Sequence, residues 1–280
     1  MPNVPEHKTY QAEDGIIHYW TTSGGSDPTG RTLVFLPGLT ADHRLFDRQM
    51  EYFAGKPGMR CLVWDGPSHG LSRPFPLTWS LDDLARMLDG LLEQEGVEHP
   101  VLVGQSLGGY VAQAYMDLFP GKAAGFVSID SAPLQREYIT AAELFLLKHT
   151  HAMYASIPWN ALKRFGAQVA TSGYGMQLMC TMMGDYEKPE YVDLTAHGFR
   201  ALAEAIEASR PYVIDCPALL ICGEKDKAGS AMRYNRAWTK RTGLPLEWIA
   251  GAGHNANTDA PDEVNGLIEE FVESLHTPSV

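Results

Sequence analysis

Val101-Leu102-Val103-Gly104-Gln105-Ser106-Leu107-Gly108-Gly109 is the stretch from which the rest of the chain can be read. Three apolar strand formers end on a glycine, a serine follows, and residues 107–119 then carry apolar side chains at helical spacing. That is the pattern of a strand turning sharply into a helix with a serine at the turn. Glycine suits positions 104 and 108, because side chains there would collide with the bent backbone. Composition alone would place a G-x-S-x-G in roughly one chain in ten of this size, so the flanking strand and helix carry more weight than the pentapeptide. The competing reading is a Gly-rich phosphate loop. It lacks the lysine a P-loop needs, and no G-x-x-x-x-G-K-[ST] occurs anywhere.

Working outward, short β-rich runs alternate with longer helical ones. Strands are expected at 15–21, 31–36, 60–64, 101–104, 125–129, 217–222 and 246–249, bounded by Gly, Pro or Asp. Helices are expected at 45–53, 80–95, 107–119, 230–240 and 261–275, with Ser80 and Asp83 as an N-terminal capping signal. A repeated β-α order calls for a mainly parallel sheet with helices on both faces and right-handed crossovers. Between about 131 and 212 the strand signals stop, and Met, aromatic and helix-forming residues take over. This is too long for a structureless loop. The expected organisation is therefore a first core part at 1–130, a helical cap insertion at 131–212 and a second core part at 213–280.

Composition bounds the partners. A chain of 280 residues with 45% hydrophobic and 20% charged residues should fold around a substantial core. A formal net charge of −12 opposes phosphate backbones, so nucleic acid is not an expected partner. No run reaches the length of a membrane span, and residues 1–15 are polar and acidic without an apolar export segment, which makes the cytoplasm the default compartment. Cys61, Cys180, Cys216 and Cys222 form no C-x-x-C pair and have no metal-like spacing to histidine, so buried free thiols are expected.

A serine hydroxyl is a weak nucleophile and needs a base held by a carboxylate. His254, in Ala250-Gly251-Ala252-Gly253-His254, follows the strand at 246–249 and can reach the sheet edge where Ser106 emerges. His69 also follows a strand but precedes the serine, whereas the order in this arrangement is serine, acid, histidine. It reads as a structural loop residue, and His149 and His151 as solvated or core residues. For the acid, Asp226 in Gly223-Glu224-Lys225-Asp226 is the choice, and Asp130, which also ends a strand, is the alternative. The developing oxyanion needs two donors: the N–H of Leu107, after the nucleophile, and the N–H of Leu39, in Pro37-Gly38-Leu39 after the second strand. Serine, histidine and aspartate require no metal or cofactor.

Together, Pro37-Gly38-Leu39, Asp65-Gly66-Pro67-Ser68-His69-Gly70-Leu71-Ser72, the Ser106 turn, Gly223-Glu224-Lys225-Asp226 and Gly253-His254 resemble the α/β-hydrolase superfamily over nearly the whole chain outside the insertion. The resemblance implies an eight-stranded sheet, a helical cap over the active site, and Ser106, Asp226 and His254 as nucleophile, acid and base. The chain departs where relatives often carry His-Gly, here Pro37-Gly38, and where they often carry Arg in the Asp65 loop, here Pro67-Ser68. Serine at 106 also sets it apart from dehalogenases and epoxide hydrolases with an aspartate nucleophile.

The insertion supplies the substrate clues. Phe145, Met153, Tyr154, Trp159, Tyr174, Met176, Met179, Met182 and Met183 suit an adaptable pocket for an apolar acyl or aromatic group, or else pack the cap. Met153, Tyr154, Trp159 and Met179 are the pocket candidates. The expected activity is hydrolysis of a small or medium carboxylic ester through an acyl-enzyme. The alternatives are the same triad acting on a carbon–carbon, thioester or amide bond, and a non-catalytic ligand receptor.

Overall fold

A computed structural model describes residues 4–23 and 31–275. Its sheet is built from β1 (Glu6–Gln11), β2 (Ile16–Thr21), β3 (Arg31–Leu36), β4 (Met59–Trp64), β5 (Val101–Gln105), β6 (Gly125–Ile129), β7 (Ala218–Gly223) and β8 (Leu246–Ile249). The order across the sheet is β1-β2-β4-β3-β5-β6-β7-β8. The β1–β2 and β2–β4 pairs are antiparallel and all the others are parallel. β5, β6 and β7 are buried at every residue, as expected of parallel strands covered on both faces.

Alternation along the strands sorts the core into two layers. Val34, Leu36, Leu62, Leu102, Phe126 and Leu220 belong to one layer, under α2 (Leu81–Gln94), α3 (Leu107–Leu118) and Trp238 of α9 (Ala231–Thr242). Leu33, Phe35, Val63, Val103, Val127 and Ile221 belong to the other. It lies under α1 (Asp47–Ala54) and the Val264, Ile268 and Val272 face of α11 (Pro261–Ser274). α2 starts on the expected reciprocal cap, Asp83 N–H to Ser80 Oγ at 3.2 Å and Ser80 N–H to Asp83 Oδ2 at 2.9 Å. Between β6 and β7 run five helices, α4 (Ala141–Lys148), α5 (Thr150–Ser156), α6 (Trp159–Ala167), α7 (Gly173–Gly184) and α8 (Lys188–Glu207), with no strand among them. No helix among the described residues is long and apolar enough to cross a membrane.

Three expectations need correction. The first strand is β1, not the one at 15–21. Glu6–Gln11 is largely exposed and carries no apolar alternation, so its strand identity comes from pairing with β2 at the sheet edge. The helix expected at 45–53 divides, because Asp42 caps a 3₁₀ turn at His43–Phe46 by accepting from Arg44 N–H, and α1 begins only at Asp47. Of the four free thiols, Cys61 and Cys222 are buried, Cys216 is partly so and Cys180 is exposed on α7.

The topology positions the site. β3 lies between β4 and β5, with Leu36 paired to Gly104, so the chain leaves β3 toward one side while the next parallel partner stands on the other. Crevices open at such points, outside the carboxyl ends of the strands.

Candidate active site

Ser106 stands between β5 and α3 with φ 49° and ψ −113°, a conformation that costs a non-glycine residue roughly 1–3 kcal/mol. Its neighbours hold it there: Ser106 N–H donates to Ile129 O at 3.0 Å, and Gly109 N–H to Ser106 O at 3.0 Å. Close approach explains the flanking glycines. A Cβ at Gly108 would overlap the Leu36 carbonyl, and one at Gly104 would overlap the Gly108 backbone.

The structure brings Ser106, His254 and Asp226 together. Ser106 Oγ lies 2.9 Å from His254 Nε2, and His254 Nδ1 lies 2.9 Å from Asp226 Oδ2. The carboxylate can only accept, so Nδ1 carries the proton and Nε2 presents its lone pair to the serine. Asp226 has no exposed side-chain surface, and its other oxygen accepts from Ala228 N–H at 2.8 Å. Burial opposes charging of the imidazole. The Asp226 carboxylate, through charge and hydrogen bond, together with Asp130, outweighs it and raises the His254 pKa above its ordinary value.

Asp130, the alternative acid, is placed differently. One oxygen accepts from Gly223 N–H at 2.7 Å and the other from Ala256 N–H at 2.8 Å, so it ties the end of β7 to the segment following His254. Burial and the neighbouring Asp226 push its carboxyl up to about 7, against the opposing pull of His254 and those two donors. Sequence reasoning gave no role to two further residues. Gln105 Nε2 donates to His254 O at 2.7 Å, and Asp259, on α10 (Ala256–Asp259), accepts from Gly253 N–H at 2.8 Å. The position of Gln105 beside the serine was a signal for the first. Nothing in the sequence marks the second.

The loop after β3 passes directly beside the serine, since a Cβ on Gly38 would stand 3.2 Å from Ser106 Cβ. Leu107 opens α3, where a backbone N–H has no acceptor within the helix. The Leu39 side chain packs on α8 at Gly198. Pro37, Gly38, Trp64, His69, Leu107 and Val111 border a small cavity with room for about one water. None of the four pocket candidates borders it. Met153 is 55% exposed on α5, and Met179 is buried with Met182 in a core layer. Tyr154 and Trp159 are half-buried, with rings 6.3 Å from Phe199 and 5.3 Å from Tyr191.

The other histidines weighed from the sequence each have a local partner. His69 is buried and donates from Nδ1 to Pro67 O at 2.9 Å, His149 lies 2.7 Å from Phe145 O, and His151 lies 2.9 Å from Asp193. Among the described residues, two side-chain groups have metal-like proximity, Asp42-His43-Asp65 and Asp130-Cys222-Asp226. Their carboxylates already accept hydrogen bonds. Asp42 accepts from Arg44, Asp65 from His43 and Leu71 N–H, and Asp130 from backbone, while burial pushes the Cys222 thiol far up and keeps it protonated.

The sequence profile of the Alpha/beta hydrolase family matches residues 33–267. The chain belongs to the α/β-hydrolase family. Among its relatives, this α/β-hydrolase is 32% identical over 258 residues to an sn-1-specific diacylglycerol lipase of Mus musculus, covering 88% of this chain and 82% of the lipase. It is 26% identical over 276 residues to a 2-hydroxy-6-oxononadienedioate/2-hydroxy-6-oxononatrienedioate hydrolase of Burkholderia vietnamiensis, covering 93% of each. Its fold matches a solved thermophilic esterase of Thermogutta terrifontis with a TM-score of 0.75 and 20% identity, over 98% of this chain and 100% of the esterase. At that identity the structural match speaks for the fold, and the hydrolase's chemistry must be argued from its own residues.

Proposed function

We propose that this hydrolase cleaves a small or medium carboxylic ester through an acyl-enzyme, with Ser106 as nucleophile, His254 as base and Asp226 as the acid that orients it. The carrying observation is the continuous chain Ser106 Oγ, His254 Nε2, His254 Nδ1, Asp226 Oδ2, with both gaps at 2.9 Å. His254 Nε2 takes the serine proton as Oγ attacks the ester carbonyl, and Asp226 stabilises the imidazolium that forms. The oxyanion receives the Leu107 and Leu39 N–H groups, donors fixed in place before the charge appears. His254 then protonates the departing alkoxide. Water, activated by the same imidazole, releases the acid and restores Ser106.

Residues 131–212 are read as a cap between core parts 1–130 and 213–280, and the half-buried Tyr154 and Trp159 as part of an apolar acyl or aromatic site; Met153, largely exposed, and Met179, packed in a core layer, fit that site less well. Segments 1–3, 24–30 and 276–280 lie outside the described residues. The test is Ser106→Ala. It should abolish turnover of short p-nitrophenyl esters and labelling by a fluorophosphonate, a loss of at least ~10⁴-fold. Activity retained in the variant would overturn the assignment.

A second reading keeps the triad and changes the bond. The Burkholderia relative is named for an oxo-dienedioate, a molecule without an ester, so hydrolysis there must break a carbon–carbon bond. Parallel assay of esters, a vinylogous 1,5-diketone, thioesters and amides separates the two readings by which class Ser106→Ala abolishes.

A further inference from the structure

His254 sits on a segment gripped from two sides. On the core side, Gln105 Nε2 holds His254 O at 2.7 Å and Asp130 holds Ala256 N–H at 2.8 Å. On the other side the partners belong to the inserted helices. His254 N–H donates to Val169 O at 2.7 Å, and Val169 lies in the turn joining α6 to α7. Asp259 adds a second fastening. Its carboxylate accepts from Gly253 N–H at 2.8 Å, from Thr171 N–H at 2.9 and 3.0 Å, and from Ser172 N–H at 2.8 Å. The Thr171 hydroxyl stands 2.9 Å from Gly251 O and 3.0 Å from Asp259 Oδ2, bridging the two.

One carboxylate thus joins the residue before the histidine to the two residues that lead into α7. Charge-assisted bonds of this kind are the strong class, and several converging on two oxygens fix both position and direction. Beyond these bonds, Val169 packs against the core layer that holds Ile249 and Ala256, and Ser172 Oγ makes a longer contact to Thr258 O at 3.3 Å. We propose that Asp259 is a positioning residue for His254, making the set of the imidazole against Ser106 depend on docking of the α6–α7 turn. The proposal rests on the reading of His254 as the base. It adds that the inserted helices help assemble the triad, whatever else they contribute to substrate binding.

The charged groups facing the imidazole are Asp226 and Asp130, so loosening His254 from Asp226 should relax its raised pKa. The experiment uses the full chain as wild type, Asp259→Asn and Thr171→Val, with Ser106→Ala as blank. It measures the rate constant of fluorophosphonate labelling against pH, the His254 pKa by NMR titration, and thermal unfolding. Asp259→Asn should label at least ~10-fold more slowly per folded molecule, in line with the cost of a small misplacement of a reacting group. Its His254 pKa should fall toward the ordinary histidine value. Thr171→Val leaves the charge unchanged and should move both readouts the same way, by a few-fold in rate.

Wild-type labelling and an unshifted His254 pKa in folded Asp259→Asn would overturn the proposal. Should that variant not fold, the same wild-type result in Thr171→Val would overturn it. Failure of the underlying reading looks different: wild type would label no faster than Ser106→Ala, while the NMR titration would still report whether Asp259 sets His254.

Discussion

A single imidazole controls the pH behaviour expected of the proposed mechanism. In that mechanism His254 must be neutral to accept the Ser106 proton, and Asp226 stabilises its charged form, so kcat/KM for an ester should fall as pH drops through a pKa above the ordinary histidine value. Asp226→Asn removes that carboxylate. The acid limb should then move to lower pH while the rate drops by about 10³–10⁴, because the tautomer is no longer held. A limb that stays in place would mean that another group sets it. Asp130 gives a separate signature in stability. Its folded pKa of about 7 lies above the roughly 3.9 of an unfolded aspartate, so its contribution is fully present at low pH and is lost as pH rises between those values. Asp130→Asn cannot titrate, and its amide NH₂ faces one of the two N–H donors, leaving that donor without an acceptor. The variant should be less stable than wild type by about 1–3 kcal/mol near pH 4, with the gap narrowing toward neutral pH. Urea unfolding of both proteins across that range checks the sign, and a gap that widens with pH would refute it.

At the scale of elements, the readable features were those in which local chemistry and tertiary role coincide. β3, β5, β6 and β7 are apolar runs because parallel strands are covered twice, and their sequence limits match the observed ones to within a residue or two. The meeting of Ser106, Asp226 and His254 was legible for a related reason, since each follows a strand and so arrives at the same sheet edge. β1 was not, because an edge strand with one paired side needs little apolar character. Nor was Asp259, whose partners Thr171 and Gly253 lie on different elements, one of them 88 residues away. The elbow offers a direct test of close packing. Gly108→Ala would press its Cβ onto the Leu36 carbonyl, backbone against backbone, and should destabilise the protein by more than about 3 kcal/mol or prevent soluble expression. Gly266→Ala, in α11, meets nothing within 4 Å and should instead add up to about 1 kcal/mol through helix propensity. Thermal unfolding of the pair separates a glycine required by space from one that is merely tolerated.

For the molecule as a whole, the question is how the inserted helices and the core act on one another. The sequence showed where the strands stop, at about 131, but not which faces of the inserted helices would meet the core. Methionine- and aromatic-rich helices fit several packings, and the choice is made by partners far away in the chain. One such partner is Leu39. Its side chain lies against the bare backbone of Gly198 in α8, so a core loop proposed to supply an oxyanion donor is backed by an inserted helix. Gly198→Ala places two effects in opposition. Helix propensity favours alanine by about 1 kcal/mol, while the new Cβ would stand 2.5 Å from Leu39 Cδ1 and displace that side chain with its loop. Leu39 is flexible enough to move, so the melting temperature should change by no more than a few degrees. Any shift of the loop would turn the Leu39 N–H away from where the oxyanion is proposed to form, and a lost donor of this kind costs roughly 10²–10³ in kcat. Partial displacement should therefore lower kcat by ~10-fold or more with KM changed less. Equal losses of activity and stability would indicate simple unfolding, and unchanged kcat would separate Leu39 from the chemistry.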